Sequence, residues 1–340
     1  MYLLHTKEII AMPAMQDRKS RLNPLKRIVN KNHNTQYYFF SGKGGVGKTS
    51  CAAATALRFA KSGKKTLVIS IDPAHSLGDS FDVKIGGDVK KLGNNLFAVE
   101  IDPVKAMQEY KEKFSLQVEK MDHLKGFGLE ETFDIAGMTP GIDEIAAFDK
   151  FLKYMQNKEY DIIIFDTAPT GHALRFLSLP DVLDSWVGKL IKMRMKIAAV
   201  TGIIKRILPF GDKTDDSFGA KELEEMKSRI QEAKKILSDP AKTHFNLVLI
   251  PEAMSILESE RSMKTLSEYG ITVESVVVNN LVPKNSKCGF CSDRSGQQEK
   301  RLHEIEQAFK SAKIKTLSQF SKEVRGFEML ERVSSNLYGK

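Results

Sequence analysis

Short apolar runs recur along this chain, each bounded by polar or glycine-containing turns. Gln36–Phe40, Thr66–Ile71, Leu96–Ile101, Tyr160–Phe165, Asn246–Ile250 and Ser275–Asn279 are too short for helices and rich in aromatic, β-branched or leucine residues. Each predicts a buried strand. Between several of them the apolar positions move to a helical period. Strands alternating with helices predict an α/β fold, a mainly parallel sheet covered by helices on both faces. In such sheets ligands bind beyond the carboxyl ends of the strands. Two intervals break the alternation. Residues 103–158 and 181–243 are mostly helical in pattern and rich in Met, Lys and Glu, which predicts helical insertions forming a subdomain. Residues 1–35 read as a basic, disordered extension ahead of one domain spanning 36–340.

The first strand runs straight into Ser41-Gly42-Lys43-Gly44-Gly45-Val46-Gly47-Lys48-Thr49-Ser50. Gly42–Thr49 fits the phosphate-loop pattern G-x-x-x-x-G-K-[ST], and Cys51–Leu57 after it predicts the helix that the motif requires. Glycines let such a loop curl with its N–H groups turned inward, and a helix N-terminus adds partial positive charge. The expected ligands are therefore ATP and Mg2+. Lys48 can reach the β- and γ-phosphates, and the Thr49 hydroxyl can ligate Mg2+. Gly44, Gly45, Val46, Gly47 and Ser50 complete the expected cradle. Lys43 is not needed to hold phosphates within one chain, and a solvated loop lysine is the plainer reading. With Lys43 included, the loop resembles the deviant phosphate loop of the nitrogenase-iron-protein, MinD and ParA superclass. There the extra lysine crosses a homodimer to the other subunit's nucleotide, which implies a catalytic Lys43 and a homodimer here.

Two further strands end in acids. Thr66–Ile71 leads into Asp72-Pro73-Ala74-His75-Ser76, and Tyr160–Phe165 into Asp166-Thr167-Ala168-Pro169-Thr170-Gly171-His172. An acid that closes a buried strand beside a phosphate loop can hold Mg2+ directly or through water, which is the expectation for Asp166. Asp72 can orient the attacking water, because phosphoryl transfer needs positioning and electrostatics more than a strong base. The plainer alternative for both is capping of the following turn. His75 and His172 are as readily hydrogen-bonded loop histidines as site residues.

Charge changes the picture in two places. Of the formal net charge of +9, residues 1–35 carry +5 and residues 182–210 another +5, which leaves −1 for the rest. Basic patches can meet nucleic acid or anionic lipid, but solvated helix faces and a tail explain most of this charge. Within the second patch, Trp186, Leu190, Met193, Ile197, Val200, Ile204 and Ile207 recur at spacings of 4, 3, 4, 3, 4 and 3. That is a helical stripe of about six turns. By pattern alone it is core packing first; a basic amphipathic helix on a membrane surface is a further reading. No apolar run approaches the roughly 20 residues of a membrane span. Lys7 and Glu8 interrupt the N-terminal segment, so no secretory signal is expected. The 3 cysteines cannot build a disulfide framework, which points to a reducing cytoplasm. Cys288 and Cys291 form one C-x-x-C. A redox pair, half of a zinc site and incidental cysteines all suit those residues alone.

Gly42–Thr49, Asp72-Pro73-Ala74-His75, Pro140-Gly141-Ile142-Asp143-Glu144, Asp166–His172, Ile250-Pro251-Glu252, Val278-Asn279 and Cys288-Gly289-Phe290-Cys291 are ordered along about 300 residues. Together they resemble the tail-anchored-protein targeting branch of the arsenite-transporting-ATPase family, in its archaeal form. The resemblance implies a P-loop NTPase fold and a cytoplasmic, homodimeric, Mg2+-dependent ATPase. It implies a chaperone that shields the transmembrane segment of tail-anchored proteins and hands them to a membrane receptor, with no nucleic-acid partner. It makes Lys43 the cross-dimer lysine, Asp72 the catalytic switch residue and Asp166 the second-switch acid. It adds Glu252 and Asn279 as nucleotide contacts. It makes Cys288 and Cys291 half of a Zn2+ site shared across the dimer. It turns Trp186, Leu190, Met193, Ile197, Val200 and Ile204, with Met107 and Met121, into candidates for a client groove, where flexible thioethers suit varied partners. The sequence departs from the family's pattern at Asn280, where relatives usually carry Gln, and at Ser318-Gln319, in place of Pro-Leu beside the base. The tail 1–35 lies outside the resemblance.

Two other functions share these motifs. An arsenite-stimulated efflux-pump ATPase would be expected to carry a cysteine metalloid site and two fused halves. This chain has one phosphate loop and no cysteine between Cys51 and Cys288. A ParA- or MinD-like partition ATPase would bind DNA or membrane, and neither the helical insertions nor the cysteine pair suits it.

Overall fold

The computed structural model describes residues 35–72, 76–102, 105–106, 108–109, 142–167, 220–283 and 287–339. Among them, eight strands form one sheet: β1 (Gln36–Ser41), β2 (Thr66–Ser70), β3 (Lys90–Gly93), β4 (Leu96–Glu100), β5 (Ile162–Asp166), β6 (Thr243–Leu249), β7 (Val273–Leu281) and β8 (Lys313–Ser318). The spatial order is β3-β4-β2-β5-β1-β6-β7-β8. Every neighbouring pair is parallel except β3 and β4 at one edge. The helices are α1 (Lys48–Lys61), α2 (Ser76–Phe81), α3 (Ile142–Met155), α4 (Ala220–Leu237), α5 (Ala253–Glu268), α6 (Gly289–Ala308) and α7 (Gly326–Tyr338). This is the expected P-loop NTPase arrangement of a mainly parallel sheet with helices on both faces.

The two faces follow from side-chain alternation along central strands buried on both sides. In β1, Phe39 joins one apolar layer and Phe40 the other. Phe39 stacks on Phe165 of β5 at 4.8 Å and on Phe245 of β6 at 5.6 Å, with Phe151 of α3 at 6.3 Å. Ile230 of α4, Leu266 of α5 and Ile305 of α6 complete that layer. The opposite layer holds α1, α2 and α7. Cys51, Ala52, Ala53, Ala54 and Ala56 of α1 are fully buried, and side chains this small let the helix lie close against the sheet. Leu77 and Phe81 of α2 and Leu330 and Val333 of α7 pack in the same layer. Thr55 Oγ1 and the Tyr338 hydroxyl lie 2.8 Å apart, tying α1 to the C-terminal helix.

Six strands lie where the apolar runs predict them. β3 and β8, the two edges of the sheet, were not expected. Their exposed lysines, Lys90 and Lys91 in one and Lys313 in the other, replace an apolar run, as suits strands with an unpaired side. α3 falls within the expected insertion 103–158 and α4 within 181–243. Met107, Met121, Trp186, Leu190, Met193, Ile197, Val200, Ile204 and Ile207 lie outside the described residues, as do His75, His172 and residues 1–34. Among the described residues no helix is long and apolar enough to cross a membrane.

Phe39→Ala should destabilise the nucleotide-free protein by about 3–5 kcal/mol, the usual cost of emptying a well-packed aromatic site. Phe39→Leu should cost clearly less, because it refills part of the volume. Urea unfolding of both variants checks this, and equal losses would contradict the packing described here.

Candidate nucleotide site

Three strands bring the site together. β5 lies between β2 and β1, and the register sets Asp166 beside Ser70 on one side and Phe40 on the other. Asp166 therefore closes the middle strand at the sheet's carboxyl edge, next to the loop that leaves β1. Two glycines shape that loop. A Cβ on Gly42 would fall 2.0 Å from the Val248 carbonyl oxygen of β6, so the backbones approach too closely for any side chain. Gly47 starts α1 with φ +96°, and a Cβ there would meet Asn279 Nδ2 at 2.3 Å. Asn279 needs that space: its amide donates to the Val46 carbonyl at 2.8 Å and pins the loop to β7.

Lys48 is buried, and its ammonium donates to the Lys43 carbonyl at 3.0 Å. Burial pushes its pKa down, against the opposing pull of the Asp166, Asp72 and Glu258 carboxylates. An ammonium has three donors, so this cation can serve phosphate oxygens at the mouth of the loop.

Asp166 is fully buried, and burial raises its pKa to about 7 despite the Thr49 hydrogen bond and the Lys48 charge, which lower it. The Asp72 charge pushes the same way as burial. Thr49 Oγ1 donates to Asp166 Oδ2 at 2.8 Å. Ser76 Oγ lies 3.0 Å from Thr49 Oγ1, and Ser70 Oγ sits 3.5 Å from the same Asp166 oxygen. Asp166 Oδ1 is buried with no hydrogen-bond partner among the described residues. A buried carboxylate oxygen left unsatisfied is costly, and a cation with its water shell would satisfy it. The donors are hydroxyl and carboxylate oxygens, hard ligands that fit Mg2+. Asp72 is half-buried, and its backbone N–H donates to Ser70 Oγ at 3.3 Å.

The structure brings Lys48, Thr49 and Asp166 together, with Asp72 close enough to act on the charges of Lys48 and Asp166. Asn279 acts on the loop backbone in this structure. Glu252 begins α5 from an exposed position and pairs with Arg294 of α6 at 3.2 Å. Lys43 is half-buried and lends its carbonyl to Lys48. Cys288 caps α6 and is exposed, and Cys291 lies in the first turn. The backbone N–H and thiol of Cys291 hold the Cys288 thiol below the usual range. Among the described residues no group of three or more His, Cys, Asp or Glu could hold a metal ion. Sequence reasoning missed Ser70 and Ser76. Their only signal was position, Ser70 at the end of β2 and Ser76 at the start of α2, on either side of Asp72. An open cavity of about 490 Å³ beside α2, lined by Asp82, Glu100, Lys105 and Arg325 among others, includes no residue of the loop.

A family model described as an anion-transporting ATPase matches residues 35–339. The ATPase get3 of Schizosaccharomyces pombe is 37% identical over 305 residues, covering 89% of this chain and 91% of that protein. The ATPase get3 of Aspergillus terreus is 36% identical over 321 residues, covering 92% and 93%. The ATPase GET3B of Arabidopsis thaliana is 39% identical over 290 residues, covering 79% and 70%.

Gly47→Ala should weaken nucleotide binding about tenfold or more. A left-handed backbone costs a residue with a Cβ about 1–2 kcal/mol, and Asn279 must also give up its place. Titration with a fluorescent ATP analogue checks this; unchanged affinity would contradict the loop geometry.

Proposed function

Because the chain belongs to the anion-transporting ATPase family and hydrolyses ATP, we propose that it is the ATPase of a cytoplasmic, homodimeric targeting chaperone for tail-anchored membrane proteins. The observation that carries the catalytic part is the 2.8 Å contact between the Thr49 hydroxyl and the buried Asp166 carboxylate at the start of α1. In this reading the loop N–H groups from Gly42 to Thr49, with Ser50 behind them, and the Lys48 ammonium bind the phosphates of ATP. Thr49 and Asp166 would hold Mg2+, which would supply positive charge for the phosphates. Asp72 accepts a hydrogen bond from the attacking water and aligns it with the γ-phosphorus. The water oxygen bonds to that phosphorus as its bond to the β–γ bridging oxygen breaks, the water's proton passes to the released phosphate, and Lys48 meets the charge that develops on the departing ADP. Lys43 serves the nucleotide of the other subunit. Glu252 and Asn279 bound the nucleotide from the β6 and β7 side, and Asn279's hold on Val46 supports that role.

The cysteine pair belongs to the same reading. Tetrahedral zinc needs four ligands, and Cys288 and Cys291 from two chains supply them. The exposure of Cys288 and its lowered thiol pKa support the assignment. The domain division also belongs here: a basic extension over 1–35, then the ATPase domain with client-binding insertions at 103–158 and 181–243. The stripe from Trp186 to Ile207 supports the client role. Its length of about six turns matches a transmembrane helix of roughly 20 residues. Met107, Met121, Met193 and Ile204 are the groove residues proposed with it, and a membrane receptor is the proposed acceptor.

Asp72→Asn should still bind ATP but lose about 100-fold or more of turnover, since a positioned proton acceptor contributes about 10²–10⁴-fold. Single-turnover assays beside binding measurements check this; a normal rate removes Asp72 from catalysis.

The untagged protein should carry about half a zinc per chain. Replacing Cys288 and Cys291 with Ser should remove the metal and weaken the dimer in analytical ultracentrifugation, because metal binding is coupled to assembly. A stable, metal-free native dimer would exclude the shared site.

A further inference from the structure

The Thr49 hydroxyl touches two groups. It donates to Asp166 Oδ2 at 2.8 Å, and its oxygen lies 3.0 Å from Ser76 Oγ. With its single proton committed to the carboxylate, Thr49 has only lone pairs left to offer, so Ser76 is the donor in the second contact. Ser76 is half-buried at the first position of α2, four residues beyond Asp72. Its backbone carbonyl is taken by Ser80 Oγ at 3.0 Å, while its hydroxyl faces the Thr49 oxygen that is expected to bind metal.

We infer that Ser76 is a second hydroxyl ligand of the Mg2+ ion, bound beside Thr49. The inference rests on the Mg2+-ATP reading above and goes beyond it in drawing a protein ligand from α2. Mg2+ demands a near-regular octahedron with oxygens about 2.0–2.1 Å away, which sets neighbouring ligand oxygens about 2.9 Å apart. The 3.0 Å between the two hydroxyls already matches one edge of that octahedron. Rotation of the Ser76 hydroxyl, with no change in oxygen position, exposes a lone pair to the cation. Both hydroxyls bind as neutral ligands, and Thr49 keeps its proton, still donated to Asp166 Oδ2.

The competing role for Ser76 is a structural staple between α1 and α2. Titration of Mn2+ onto the full chain holding ADP, followed by electron paramagnetic resonance, reads the ligand set without turnover. Ser76→Ala should weaken Mn2+ about tenfold or more, on the scale of losses at metal sites, with ADP binding in EDTA as the check on folding. Ser76→Thr should restore most of the affinity. Ser76→Cys puts sulfur in place of a hard oxygen, so it should shift preference from Mg2+ toward Cd2+ by about tenfold or more. A staple predicts no such shift. Absence of the Cd2+ shift, or wild-type Mn2+ affinity in Ser76→Ala, overturns the inference and leaves the Mg2+-ATP reading standing. If the unmodified protein binds no Mn2+ with ADP, that reading fails and the inference with it.

Discussion

A carboxylate held wholly out of water has to be satisfied, and much of this molecule is arranged around the way Asp166 is. Burial alone would favour its neutral form, and its pKa stands near 7 even with Thr49 and Lys48 pulling the other way. Desolvated charge of this kind is tolerated only where hydrogen bonds and a counter-charge meet it. The Thr49 hydroxyl meets one oxygen, and the other has no hydrogen-bond partner among the described residues. A divalent cation at the end of β5 would satisfy that oxygen and supply the positive charge that phosphoryl transfer needs.

That requirement fixes the surrounding architecture. Thr49 can reach Asp166 only if α1 starts at the carboxyl edge of β1, next to β5, which demands a tight left-handed turn at Gly47. The turn is held from behind by Asn279 and packed from below by the alanine face of α1. Small side chains there are a geometric condition: larger ones would lift the helix and separate the hydroxyl from the carboxylate. Aromatic stacking of Phe39, Phe165 and Phe245 on the opposite face keeps β5, β1 and β6 in register, so the two layers serve the same contact from both sides.

The central sheet was legible because strands buried on both faces must be apolar runs, and β1, β2, β4, β5, β6 and β7 all are. The edges were not, because the pressure at an edge is toward charge. In β8 Leu317 is the one buried residue, and Lys315 folds its ammonium 4.5 Å over the Tyr338 ring, a contact no local pattern announces. The same division runs through the site. Lys48, Thr49 and Asp166 could be read from a motif and a strand end. Ser70 and Ser76 could not, since hydroxyls are common wherever strands end and helices begin. Asn279 came from family likeness as a nucleotide contact; its hold on Val46, 233 residues away, is a tertiary fact. The Glu252–Arg294 pair is likewise a meeting of two helices that only folding brings together.

The most direct measurement is ATP turnover by the full chain in Mg2+ and in EDTA, for the unmodified protein and for Thr49→Ala. A buried carboxylate that depends on a cation predicts that chelation abolishes turnover. It also predicts that folded Thr49→Ala loses about 100-fold, roughly 2.7 kcal/mol of transition-state stabilisation. Turnover that persists in EDTA, or a variant that keeps the unmodified rate, would contradict it.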